Sequence, residues 1–197
     1  MTASFEHAES AEDREGVVVR LPVDRDSRAL RFDPSTERDL LTGLLGPARF
    51  AEAVRGAARR RRATENPWIA VAALEGLDGV EAAGGADARA QLLQATVHRI
   101  RESLREGDRL GRLGENTFGL ILDAPYGDAA MSALQRLVHA GKQLAATDRR
   151  WDGVRLSVGV APLWSDDPDE ALGRAREALD RARERGGGTV VMSTALR

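Results

Sequence analysis

The chain contains no cysteine. That excludes a disulfide framework and a cysteine–histidine zinc site. Lys142 is the only lysine among 29 basic residues, so the positive charge is almost wholly arginine. Histidine is scarce, and His7, His98 and His139 show no spacing that suggests a metal site or a catalytic triad. With few aromatic residues, Trp68, Trp151 and Trp164 are read as core or rim rather than as a stacking platform. No apolar run approaches the ~20 residues of a membrane span, and the polar, acidic N-terminus shows no secretory signal. A cytoplasmic location is the expectation from these absences. A formal net charge of −2 leaves no overall basic field to attract nucleic acid or an anionic membrane. The Arg59–Arg62 run reads as ordinary cations at a helix C-terminus.

What is present suffices for a real core, with 42% of 197 residues hydrophobic. Residues 1–35 are charged and broken by Pro22 and Pro34. They are expected to form a flexible leader, with Val17–Leu21 as a short apolar strand or docking segment. Residues 36–197 are expected to form one domain. Pro47 suits a helix first turn, and Phe50, Val54, Ala57 and Ala58 make an apolar stripe. Ile69–Leu74 is a continuous small-apolar run, the pattern of a strand covered on both faces. Leu93, Val97, Ile100 and Leu104 recur at helical spacing, with Gly107 as the stop. Leu110–Leu113 and Phe118–Leu122 predict two short strands joined by a tight turn. Met131, Leu134, Val138 and Leu144 mark another helix, and Val154–Val160 alternates like a strand. Asp167-Pro168-Asp169-Glu170 combines an N-cap, a proline at N1 and a capping-box acid. The helix it opens carries Leu172, Ala175, Leu179 and Ala182, and Thr189–Met192 follows the Gly186–Gly188 stop. The order α-β-α-β-β-α-β-α-β predicts an α/β fold around one central sheet.

Four segments carry a family pattern. Gly114-Glu115-Asn116-Thr117-Phe118 sits at the turn between the two short strands, five residues after Arg105-x-x-Asp108. Asp39-Leu-Leu-Thr-Gly-Leu44 opens the domain. Leu156-Ser-Val-Gly-Val160 forms a later strand. Ala175-Arg-Glu-Ala-Leu179, Ala182-Arg183 and Gly186 close it. From Arg38 to Val191 the chain resembles the GGDEF domain, which makes cyclic di-GMP from two GTP molecules. The resemblance implies a single central, mostly antiparallel sheet flanked by helices, like the palm of nucleotide cyclases, with the signature hairpin at one end.

The same resemblance implies where the chemistry would sit. Joining two GTP molecules needs two divalent metals held by carboxylates and phosphate oxygens. The family's metal-binding Asp at the end of the first strand falls on Ala73, whose methyl group cannot bind magnesium. Glu75 lies two residues on, on the same face, as a partial substitute. The second metal carboxylate falls on Asn116, an uncharged and poorer ligand. The second signature glycine is Glu115, which brings bulk and negative charge toward a triphosphate. Thr117 replaces the usual glutamate. The guanine-reading positions fall on Glu81 and Ala90, the phosphate-binding lysine on Arg183, and an arginine of the closing segment on Gly187. No catalytic residue, metal site or cofactor is expected.

Arg105 and Asp108 match the family's product-binding inhibitory site. There the arginine reads guanine through O6 and N7, while the aspartate accepts from guanine nitrogens and orients the arginine. A second arginine from the following helix falls on Arg136. Arg149-x-x-Asp152 repeats the pattern without that placement, and an i,i+3 ion pair at a helix end is also ordinary surface. Arg112 precedes the signature and is expected to pair with Asp39 structurally. The resulting expectation is an inactive GGDEF-like signalling domain that binds cyclic di-GMP and regulates a protein partner, with no nucleic acid and a homodimer left open. The alternatives are a ligand-free interaction scaffold and an active diguanylate cyclase.

Overall fold

Five strands make one sheet in the order β2-β3-β1-β4-β5, seen in a computed structural model that describes residues 31–59, 66–163 and 167–194. Most of the expected leader, with Val17–Leu21 and His7, lies outside the described residues, as do Arg60–Arg62 and Trp164. In chain order the elements are α1 (Pro47–Arg59), β1 (Asn66–Glu75), α2 (Leu77–Ser103), β2 (Arg109–Arg112), β3 (Thr117–Ala124), α3 (Gly127–Ala145), β4 (Arg155–Pro162), α4 (Pro168–Glu184) and β5 (Val190–Met192). A short 3-10 turn, Arg149–Trp151, precedes β4. Strand β1 pairs antiparallel with β3 and with β4, β2 pairs antiparallel with β3, and only β5 runs parallel to its neighbour. This is the predicted mostly antiparallel sheet flanked by helices.

The central strand is apolar because both its faces are covered. Trp68, Ala70, Ala72 and Leu74 join a core with α2 and α3. Ile69, Val71 and Ala73 join a second core with α1 and α4 on the opposite face. Trp151 is buried as well. Two close approaches explain glycines in the sheet. Gly111 and Gly119 are cross-strand partners, and a Cβ on either would lie within 2.6 Å of the Phe50 ring. On β4, a Cβ at Gly159 would lie 2.1 Å from the Ala175 carbonyl oxygen of α4. The glycine of the Leu156–Val160 segment is thus a packing requirement.

Helix α2 departs from the sequence expectation in two places. Helix α2 begins at Leu77 and is interrupted at Gly85, whose φ of 71° and ψ of −172° are non-helical. It also ends at Ser103, before Gly107, so Leu104 lies beyond it in an extended conformation. The cause is Asp108: its Oδ2 accepts the Arg105 amide at 2.9 Å, taking the donor that another helical turn would need. By contrast, α4 starts as expected, with the Asp167 carboxylate accepting from the Asp169 and Glu170 amides ahead of Pro168.

One buried ion pair ties the first segment to the sheet. Arg112 and Asp39 side chains are 0% and 2% exposed, and Arg112 Nη1 donates to both carboxylate oxygens at 3.0 and 2.9 Å. Asp39 also accepts from the Thr42 amide and hydroxyl, in a turn closed by Gly43 at φ 66°. The Asp39–Leu44 motif is therefore a turn built around this carboxylate. It places the Leu45 carbonyl to accept from the Arg112 amide at 2.9 Å, covering the β2 edge.

Two stability tests follow. Gly159→Ala is expected to destabilise by about 1–3 kcal/mol or more through overpacking. Gly173→Ala, in α4 with nothing within 4 Å of the new Cβ, is expected to stabilise by up to about 1 kcal/mol. Thermal melts of the two proteins should move in opposite directions. Asp39→Asn strands the buried guanidinium and should cost about 3–5 kcal/mol, read as a fall in the urea midpoint; an unchanged midpoint would refute the structural role.

Candidate functional site

The signature hairpin is held by its backbone. Arg112 Nε donates to the Gly114 carbonyl at 3.2 Å, and its Nη2 donates to the Glu115 carbonyl at 2.8 Å. The Leu74 amide donates to the Asn116 carbonyl at 2.9 Å. The hairpin tip therefore sits against the C-terminal end of β1, where Ala73 faces Thr117 on one side and Ser157 on the other in the strand register.

The side chains there are bonded to one another. Asn116 donates from Nδ2 to the Leu74 carbonyl at 2.9 Å, and its Oδ1 accepts from the Thr117 hydroxyl at 3.2 Å. Glu115 lies 3.1 Å from Arg89, which also pairs with Glu81 at 2.9 Å. Glu75 accepts from the Ser157 hydroxyl at 2.8 Å and from Arg183 Nε at 3.3 Å, and Arg183 also reaches Asp180. The Gly188 amide donates to Ser157 Oγ. Gly187, at φ +74°, lies so close that a Cβ would be 2.4 Å from Glu75 Oε2. Ala73 is fully buried and Ala90 is 2% exposed, each within a hydrophobic core.

This donor set does not fit a two-metal centre. The end of β1 offers a methyl group at Ala73, and the amide of Asn116 already bridges Leu74 and Thr117. Glu75, two residues on from Ala73, is held by Ser157 and Arg183. Among the described residues, no group of three or more His, Asp or Glu side chains is arranged to hold a metal ion. Arg89 was not singled out by the sequence. It sits eight residues beyond Glu81, across the Gly85 break, where helical periodicity gives no reason to join them.

The second constellation lies beyond the end of α2. Arg105, Asp108 and Arg136 line one shallow groove of about 40 Å³ with an apolar floor that includes Leu122 and Leu134. The structure brings the three predicted residues together. Asp108, however, does not bond to the Arg105 side chain. Its Oδ2 holds the Arg105 amide and its Oδ1 holds the Asp123 amide at 3.0 Å, so it fixes the loop against β3. Arg105 and Arg136 are exposed, and among the described residues neither guanidinium has a hydrogen-bond or ion-pair partner.

The Arg149-x-x-Asp152 copy is built differently. It forms the 3-10 turn capped by Asp148, and Asp152 bonds to the Gly153 amide. Hydrogen bonds from the Arg150 side chain and amide hold the Asp148 carboxyl below the usual range. Neither Arg149 nor Asp152 lines the groove.

Comparison with known proteins places the chain. The sequence profile described as "Diguanylate cyclase, GGDEF domain" matches residues 36–189. Among curated proteins, "Probable diguanylate cyclase DgcC" of Escherichia coli K12 is 23% identical over 158 residues, 75% of this chain and 43% of that protein. The chain thus spans less than half the length of that relative. Diguanylate cyclase SiaD of Pseudomonas aeruginosa, solved in complex with its activator SiaC, superposes with a TM-score of 0.70 at 26% identity, over 81% of this chain and 62% of SiaD. The GGDEF domain of DgcB from Caulobacter crescentus, solved in complex with c-di-GMP, gives a TM-score of 0.71 at 16% identity, over 84% of this chain and all of that one. Among the described residues, no helix is long and apolar enough to cross a membrane. With a profile match over most of its length and a superposable sheet, this chain belongs to the GGDEF diguanylate cyclase family.

Proposed function

We propose that this GGDEF domain does not turn over GTP, but binds cyclic di-GMP at Arg105, Asp108 and Arg136 and passes the signal to a protein partner. The observation that carries the reading is that Arg105 and Arg136, whose guanidinia have no partner among the described residues, line one groove. A free guanidinium donates in a planar fork matched to guanine O6 and N7 or to phosphodiester oxygens. An apolar floor between two such groups suits the face of a purine. The groove is about 40 Å³, so the base would rest against its rim between the arginines. Asp108 serves as a positioning residue, since its carboxylate holds the backbone on which Arg105 is mounted. The c-di-GMP complex of the DgcB domain adds fold-level analogy only.

The absence of turnover rests on Ala73, on Asn116 and on the Glu81–Arg89–Glu115 ion pairs where a nucleotide would need room. The second reading, a ligand-free interaction scaffold, is favoured by the small volume of the groove. Titration with cyclic di-GMP separates the two, and an assay with GTP separates both from an active cyclase.

Purified protein incubated with GTP and magnesium or manganese is expected to yield no cyclic di-GMP by chromatography. Asn116→Asp alone should not restore it, because Ala73 and Ala90 remain and Arg89 still reaches Glu115. Robust product from the unmodified protein would overturn the reading.

In isothermal titration, Arg105→Ala is expected to weaken cyclic di-GMP binding by about 1–3 kcal/mol, a factor of roughly five to over a hundred. Arg149→Ala should bind like the unmodified protein. Asp108→Ala should also bind more weakly, through release of the loop, and Arg136→Ala should show a smaller loss. No heat from the unmodified protein at saturating ligand would favour the scaffold. Equal binding by the two arginine variants would move the site elsewhere.

A further inference from the structure

A second and larger groove, of about 760 Å³, lies beside the first and shares Arg105 and Asp108 with it. Its walls come from the 37–45 segment, the start of α1, the end of α2 and β2. Arginine dominates it, and the question is which of these charges are already neutralised. Arg49 is paired with Glu37 and Glu52. The other four have no carboxylate partner among the described residues. Arg38 donates to the Gly43 carbonyl, Arg101 to the Thr42 carbonyl, and Arg109 to the Gly107 and Asp108 carbonyls. Arg105 has no side-chain bond among the described residues. Each guanidinium carries five N–H donors, so most of these donors remain available. On the acidic side, Glu37 and Glu52 are paired with Arg49, while Asp108, held only by backbone amides, and Glu106 keep their charges, so four unpaired arginines face two unpaired carboxylates among the lining residues.

Between these charges lie aliphatic side chains, with Leu45 and Leu104 half-buried. No aromatic residue lines the groove. Single-stranded nucleic acid is gripped by stacking on aromatic side chains as well as by charge, so this lining suits it poorly. Guanidinia interleaved with leucines match a peptide in which carboxylates alternate with aliphatic side chains.

We infer that this groove docks an acidic–aliphatic peptide segment of the partner protein, and that cyclic di-GMP competes with it for Arg105. The inference rests on the reading of a protein partner and gives that partner its chemistry. Arg105 stands in both grooves, so a guanidinium committed to guanine is lost to a carboxylate. By linkage, each ligand weakens the other by the same factor.

The test uses the full chain and a fluorescein-labelled alternating Glu–Leu decapeptide followed by anisotropy, with a Lys–Leu decapeptide and a ten-nucleotide single-stranded DNA as comparisons. The Glu–Leu peptide is expected to bind most tightly. The double variant Arg101→Gln, Arg109→Gln should bind it about tenfold more weakly, while Arg176→Gln, on the exposed face of α4, should not change it. Circular dichroism confirms the fold of each variant. Cyclic di-GMP titration of the double variant should match that of the unmodified protein, and saturating cyclic di-GMP should weaken the peptide about threefold or more. Equal peptide binding by the double variant, or tighter binding of the Lys–Leu peptide or of DNA, overturns the docking site. Peptide affinity unmoved by saturating cyclic di-GMP that demonstrably binds overturns the competition. If cyclic di-GMP gives no heat but the peptide binds and the double variant loses it, the ligand reading above fails and the groove stands.

Discussion

Everything at the functional end of this domain hangs on the buried Arg112–Asp39 pair. Removing two charges from water costs several kcal/mol per ion and is tolerated only when both are fully bonded. Here they are. Arg112 serves both Asp39 oxygens and the carbonyls of Gly114 and Glu115, and its guanidinium lies 5.5 Å from the Phe32 ring centroid. Asp39 in turn holds Thr42. One ion pair thus joins the segment before α1, the edge strand β2 and the signature hairpin. It holds the hairpin through the main-chain carbonyls of Gly114 and Glu115, bonds that any side chains at these positions would leave available.

Some positions, by contrast, are required by the scaffold itself. Gly111, Gly119 and Gly159 are required by close approach of Phe50 or of α4, and no side chain can replace them without displacing backbone or ring. At the hairpin tip, Glu115 and Asn116 are held through their carbonyls, by Arg112 and by the Leu74 amide. A cluster of carboxylates without its cations is unfavourable, because like charges repel most strongly where water is excluded. In this chain the carboxylates of the corresponding region are partly offset from within: Arg89 lies between Glu81 and Glu115, Arg183 between Glu75 and Asp180.

The fold was legible because its signals are strong and redundant. Ile69–Leu74 reads as a strand covered on both faces, and it is. The Asp167–Glu170 cap and the two-strand hairpin are local signals that tertiary packing did not override. What could not be read were features set by contacts distant in sequence. Gly85 breaks α2 at a place where Ala82, Ala83 and Ala86 give no hint of a boundary. The early end of α2 depends on Asp108 capturing the Arg105 amide, a side-chain-to-backbone bond that competes with helix; glycine at position 107 pointed instead to a later stop. Arg89 joins partners eight and 26 residues away, beyond any i,i+4 rule. Arg105, Asp108 and Arg136 were found by register to the signature, not by chemistry of their own, since the 149–152 segment repeats the first two letters and folds into a capped 3-10 turn.

The loop from Leu104 to Arg109 is where the two grooves meet, and its construction bears on how a signal would travel. Coupling between two sites needs an element that both of them bias. This loop is fixed at one point, the Asp108 carboxylate, which holds the Arg105 amide on one side and the Asp123 amide of β3 on the other. Its base is rigid because it is bonded to a strand of the central sheet. Its arginine side chain, by comparison, is exposed and unpaired among the described residues. A rigid base with a free guanidinium favours exchange of one side chain between two sets of acceptors over movement of the backbone. Signal transfer by such an exchange requires no domain closure and no rearrangement of the core. It requires only that the two ligands draw on the same donors.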